Sequence, residues 1–146
     1  WTINTLLDAE IWGSIEKISI VGISSANQVG LRDNRKIEYL GYLDNNLLED
    51  VYKSSKLLLM PSLHESFGVP IIEALSKSCS VCAASSAAFP EIGGEFAHYF
   101  ALDDKNSLLT AITAGLEEKI DIKAIRMHLE QYTEANFNYK IITELS

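Results

Sequence analysis

Two glutamates, Glu65 and Glu73, bracket a turn that reads Phe67-Gly68-Val69-Pro70. A carboxylate accepts hydrogen bonds from hydroxyls, and one carboxylate can hold both hydroxyls of a vicinal diol such as a ribose. Gly68 lets a ligand approach the main chain closely. Pro70 falls in the first turn of a helix, where its missing N–H costs nothing. The N–H groups near Phe67, Gly68 and Val69 then point out of a helix N-terminus, where unsatisfied donors and the helix dipole suit an anion such as a phosphate. Glu73 lies about one turn past Val69. This spacing permits one glutamate for a ribose, one for a sugar, and the helix terminus for the diphosphate between them.

Other chemistry-bearing residues have plainer roles. Glu73 taken alone could pair with Lys77 on a solvated helix face, for about 0.2–0.5 kcal/mol. His64, beside Glu65, could act as an acid or base, but a loop histidine with one satisfied hydrogen bond is the simpler reading. Asp103-Asp104 stands where a helix cap is expected. The sequence contains no Asp-x-Asp, and no metal site is expected. Cys79 and Cys82 have redox or zinc spacing, but no second pair completes a zinc site. Cys82 lies in the apolar run Val81-Cys82-Ala83-Ala84, where a free cysteine behaves as a small hydrophobe.

The elements that must position these residues follow from periodicity. Ile3, Leu6, Leu7 and Ile11 predict a helix over 3–12, stopped by Gly13. Strands are expected over 17–23, 37–40, 57–60, 81–84 and 99–102. The run Leu57-Leu58-Leu59-Met60 reads as a strand buried on both faces. Asp44 is placed to cap a helix over 46–54, with Leu47, Leu48, Val51 and Tyr52 inward. Residues 24–36 read mostly as loop, and further helices are expected over 68–77, 105–118, 121–135 and 137–145. Strand and helix alternate, which predicts an α/β domain of Rossmann-like, doubly wound type with a parallel sheet. Its ligand site is then at the carboxyl ends of the strands. Such a domain normally opens on its central strand, whereas this sequence opens on a helix. The first strand is therefore expected to lie outside it.

The chain has 146 residues, a size suited to one domain, 1–146. It is 47% hydrophobic and 22% charged, enough for a core without disulfides or metals. A net charge of −8 disfavours nucleic acid as a partner. The sequence holds neither an apolar run of membrane-spanning length nor a polybasic patch, which points to a cytoplasmic protein.

The segment from Pro61 to Leu75 resembles the Glu-x7-Glu signature of retaining group 1 glycosyltransferases, family-4-like enzymes with two facing Rossmann-like domains (the GT-B fold). The resemblance extends over roughly residues 5–120. Lys56 to Pro61 is similar to the family's strand leading into Pro-Ser. Tyr39-Leu40-Gly41-Tyr42-Leu43 is similar to its strand-Gly segment, and Phe89-Pro90-Glu91-Ile92 to its second donor loop. The resemblance implies that the chain is the C-terminal, donor-binding half of such an enzyme, inactive alone. Its donor would be a UDP- or GDP-sugar, with no further cofactor. Its partner would be an N-terminal acceptor-binding domain absent from this sequence. Glu65 would contact the donor sugar and support its charge in the transition state. Glu73 would bind the ribose, and Phe67, Gly68 and Val69 would offer main-chain contacts to sugar and diphosphate. Ribose and base would lie near Gly22 and Gly41.

The chain also departs from the family. The Arg and Lys that clamp the diphosphate have no counterpart here, and Arg32, Arg35 and Lys36 come too late to replace them. The Gly and Pro that commonly follow the second glutamate are Ser78 and Ser80. If Ser78 adopts a left-handed conformation, the cost is on the order of 1 kcal/mol. Two other classes remain open at this stage: a non-catalytic nucleotide-sugar or partner-binding domain of the same fold, and a nucleotide-sugar epimerase.

Overall fold

The computed structural model describes residues 1–25, 34–63, 67–86 and 88–132. Among these residues, helices and strands run in the order α1 (Thr2–Leu7), β1 (Ile18–Val21), β2 (Ile37–Gly41), α2 (Asn45–Ser54), β3 (Leu57–Met60), α3 (Val69–Ser76), β4 (Ser80–Ala84), α4 (Phe89–Gly93), β5 (Ala97–Phe100), α5 (Lys105–Glu117) and α6 (Ile122–Leu129). Short 3-10 turns follow α1, α4 and α6. Among the described residues every strand pair is parallel, and the connections from β3 to β4 and from β4 to β5 each carry a helix. The α/β, Rossmann-like class predicted from the alternation is thus what the chain adopts.

The strands divide between two sheets, β1-β2 and β3-β4-β5. β4, flanked on both sides, is buried at all five residues. Its side chains alternate between two cores. Val81 and Ala83 join Ile71, Ala74, Leu75, Phe89 and Ile125 on one face. Cys82 and Ala84 join Leu6, Phe100, Leu108 and Ile112 on the other. The second core also receives Ile18 from β1 and Leu57 and Leu59 from β3, so the two sheets share it.

Several elements differ from expectation. The first helix stops at Leu7, because Ala9 turns extended (φ −101°, ψ 150°), and a 3-10 turn, Glu10–Gly13, resumes. Ile11 and Trp12 still reach the core that holds Leu6. β3 is not buried on both faces: only Met60 is buried, and among the described residues β3 pairs with β4 alone. Leu47 is 53% exposed rather than inward, and the apolar stripe of α2 narrows to Leu48 and Tyr52. The segment Phe89-Pro90-Glu91-Ile92 is helical rather than a loop, with Pro90 tolerated in its first turn. α6 ends at Leu129 and continues as a 3-10 turn to Tyr132. Residues 133–146, including the expected helix over 137–145, lie outside the described residues, as do 26–33 within the expected loop.

Caps appear where the sequence placed them. Asp44 accepts from the Leu47 N–H at 2.9 Å, and Asp104 accepts from the Ser107 N–H at 3.0 Å. Helix α3 ends in a Schellman motif. Cys79 N–H donates to Ala74 O and Ser78 N–H to Leu75 O, with Ser78 at φ 60°. The left-handed position usually given to glycine is therefore held by a serine here, at about 1 kcal/mol of strain.

Candidate donor site

The site begins where β3 gives way to α3. Gly68 is the N-cap of α3 and sits at φ 70°, a conformation that favours glycine. A Cβ there would also lie 3.3 Å from the Phe89 ring, a tight contact that adds to the backbone's demand for glycine. Glycine offers no side-chain acceptor, and no cap hydrogen bond forms. Among the described residues, no side chain caps the donors of the first turn. Val69, next along, is 49% exposed. The geometry suits an anion at this helix end. His64 and Glu65 lie outside the described residues.

Glu73 stands one turn into α3, half-buried. Its Oε2 accepts from Tyr52 Oη at 3.0 Å. Tyr52 comes from α2, its ring buried in the core below. Burial, and then the charge of Glu73, push the Tyr52 hydroxyl well above its ordinary range, so it stays a donor. The simpler pairing of Glu73 with Lys77 does not form. Lys77 instead meets Glu49 at 2.9 Å, and Lys53 meets the same carboxylate at 2.7 Å. Hydrogen bonds from Lys53 and Lys77 hold Glu49 down to about 2. Glu73 is thus a carboxylate oriented by a neutral hydroxyl, with no cation on it among the described residues. Tyr52 is a site residue that periodicity could not reveal. Its helical spacing places the ring inward, but nothing in the sequence links it to a carboxylate 21 positions away.

Gly22 directly follows β1, and Gly41 ends β2. Both have positive φ, 84° and 63°. The Gly22 N–H donates to Gly41 O at 2.6 Å, and the Gly41 N–H to Ile23 O at 3.1 Å, so the two strand ends close on each other. A Cβ on Gly22 would meet nothing within 4 Å. Here only backbone conformation demands glycine, and the space above it is open. Tyr42, beside Gly41, is 91% exposed, and Val21 is 39% exposed. These two apolar side chains at the strand ends were given no role by sequence reasoning. The predicted site residues therefore fall into two groups: Gly22 and Gly41 on one sheet, and Phe67, Gly68, Val69 and Glu73 at the start of α3.

Other candidates have structural duties. Lys36 Nζ donates to the carbonyls of Trp12 and Ile15 and lies 5.2 Å from the Trp12 ring, so its charge serves the loop before β1. Cys79 and Cys82 point to opposite cores and are both buried. Burial pushes their thiols up to about 11 and about 12, which leaves them protonated and unreactive. Asp103 takes φ 62° and Asp104 caps α5, so both acids belong to that turn.

Residues 7–118 match the family described as Glycosyl transferases group 1. The chain is 29% identical over 82 residues to O-antigen chain mannosyltransferase B of Escherichia coli, covering 56% of this chain and 22% of that protein. It is 32% identical over 83 residues to the serotype-specific mannosyltransferase WbdA of Escherichia coli, 57% of this chain and 10% of that protein. It is 32% identical over 84 residues to O-antigen chain mannosyltransferase RfbU of Salmonella typhimurium, 58% of this chain and 24% of that protein. The chain thus spans less than a quarter of the length of these relatives. With the family match covering most of the sequence and an α/β fold of parallel strands beneath it, the chain belongs to the group 1 glycosyl transferases.

Proposed function

We propose that this chain binds the nucleoside diphosphate sugar in a retaining glycosyltransferase whose acceptor domain lies elsewhere in the protein. The observation that carries the reading is the start of α3: a helix end at Gly68 with no side-chain cap among the described residues, and the Tyr52-oriented carboxylate of Glu73 one turn on. The helix end stabilises the diphosphate as it leaves, where negative charge develops in the transition state. Glu73 accepts the ribose hydroxyls. Glu65 is assigned to the donor sugar, whose positive character its carboxylate would support. The base lies toward Gly22 and Gly41. A hexosyl donor fits this reading, and the names of the relatives favour a mannosyl group. The chemistry belongs to the cleft between the two domains, so this chain alone binds nucleotide without turnover.

Thermal unfolding with UDP, GDP and ADP tests this. A ligand at 100 times its dissociation constant stabilises by about 2.7 kcal/mol. One nucleotide should raise the melting temperature, and Glu73→Ala should abolish the rise. Tyr52→Phe keeps the buried ring and removes one hydrogen bond to a charged group. It should lower the stability of the fold by about 1.5–3 kcal/mol, and nucleotide binding should weaken by less, since this bond is present with and without ligand. A rise that survives Glu73→Ala removes the ribose role from that residue. No rise with any of the three contradicts the donor reading.

A further inference from the structure

Helix α6 offers no donor contact in the proposed function, yet side chains on it and just after it close on α4 and on the turn that opens α3. Helix α4 has five residues, so most of its carbonyls have no helical N–H to accept. Side chains supply the donors. His128 Nε2 lies 2.7 Å from Ile92 O, and Tyr132 Oη donates to Glu91 O at 3.0 Å. A carbonyl only accepts, so the proton of His128 sits on Nε2. The His128 ring meets Tyr132 edge-on at 5.7 Å. Tyr132 in turn meets Phe67 edge-on, with centroids 6.3 Å apart and planes at 82°. Phe67 leads into Gly68, against which the Phe89 ring of α4 is packed. The contacts form a closed circuit: α6 to α4 through two carbonyls, α4 to Gly68 through Phe89, and Phe67 back to α6 through Tyr132.

We infer that His128 and Tyr132 are positioning residues for the donor site, fixing the Phe67–Gly68 turn from behind. The inference rests on the donor reading of that turn. Each residue acts through others and touches no ligand itself. The hydroxyl of Tyr132 serves α4 while its ring serves Phe67, so the two duties are separable by substitution.

The test uses His128→Ala, His128→Gln, Tyr132→Ala and Tyr132→Phe, with UDP and GDP as probes. The alanine variants should bind the preferred nucleotide about tenfold more weakly, the effect of losing one good contact. His128→Gln retains an N–H donor for Ile92 O and should recover most of the affinity. Tyr132→Phe keeps the ring on Phe67 and should lose less than Tyr132→Ala. Amide exchange is the second readout. The Ile71 N–H, bonded to Gly68 O, and the Ile92 N–H, bonded to Ala88 O, should exchange faster in both alanine variants. The β4 amides should keep their wild-type protection. Acceleration that includes β4 equally, or unaltered exchange at Ile71, overturns the inference, as does wild-type affinity in both alanine variants. If the wild type binds neither nucleotide, the donor reading fails, and exchange at Ile71 still decides whether α6 holds the turn.

Discussion

At the scale of single residues, the site depends on groups whose ionisation the fold has already set. Tyr52 is held protonated beside Glu73 by burial. The cysteines show the same force without any function. Burial raises Cys79 from its ordinary 9.0 to about 11 and Cys82 to about 12. The folded values lie above the unfolded one, so the stability these thiols carry is full below pH 9.0 and is lost as pH rises through the folded values. Tyr99, raised from 10.0 to about 12 chiefly by burial, adds to the loss above pH 10.0. The urea midpoint should therefore hold steady up to about pH 8.5 and fall beyond it. In Cys82→Ala the fall should be shallower. An equally steep fall in that variant would show that Cys82 does not carry the effect.

At the scale of elements, α4 is the piece on which the rest depends, since β5 and α6 both brace it. Tyr99 Oη lies 3.1 Å from Phe89 O and 3.0 Å from Gly94 O. Gly93 makes that approach feasible. A Cβ there would lie 2.5 Å from Tyr99 Oη and 2.7 Å from Ala97 Cβ, and the latter is fixed on a strand. Gly93→Ala should destabilise by about 1–3 kcal/mol, the usual cost of overpacking. A urea midpoint at the wild-type value would refute that account. The sequence made some elements readable and hid others for physical reasons. The Phe-Gly-Val-Pro turn, the Asp44 cap and the apolar β4 each follow from local chemistry, and each stands where local chemistry put it. Helix α4 was misread because its carbonyls are satisfied by Tyr99, His128 and Tyr132, which follow it in sequence and belong to other elements. The Tyr52–Glu73 bond was invisible for the same reason: it joins two helices across a strand. Leu47 looked inward because apolar type alone does not tell which of two adjacent leucines faces the core.

At the scale of the whole molecule, the shared core makes one body of two sheets, while the hydrogen bonding of the strands stays divided. β1 pairs only with β2, and β3 and β5 only with β4, among the described residues. Among the described residues, each of these strands carries a row of backbone donors and acceptors without a strand partner, and such rows template pairing with another chain. What opposes this is colloidal. A net charge of −8 on 146 residues keeps like molecules apart at low ionic strength. Salt near 1 M cuts the screening length to about 3 Å and removes that protection. Light scattering should then report self-association that grows with salt, the reverse of what a complex held by opposite charges would do. A scattering mass that stays monomeric at every salt concentration would mean the edges are already covered. If scattering does rise with salt, it is the acidity of this chain that keeps neighbouring copies from completing each other's sheets.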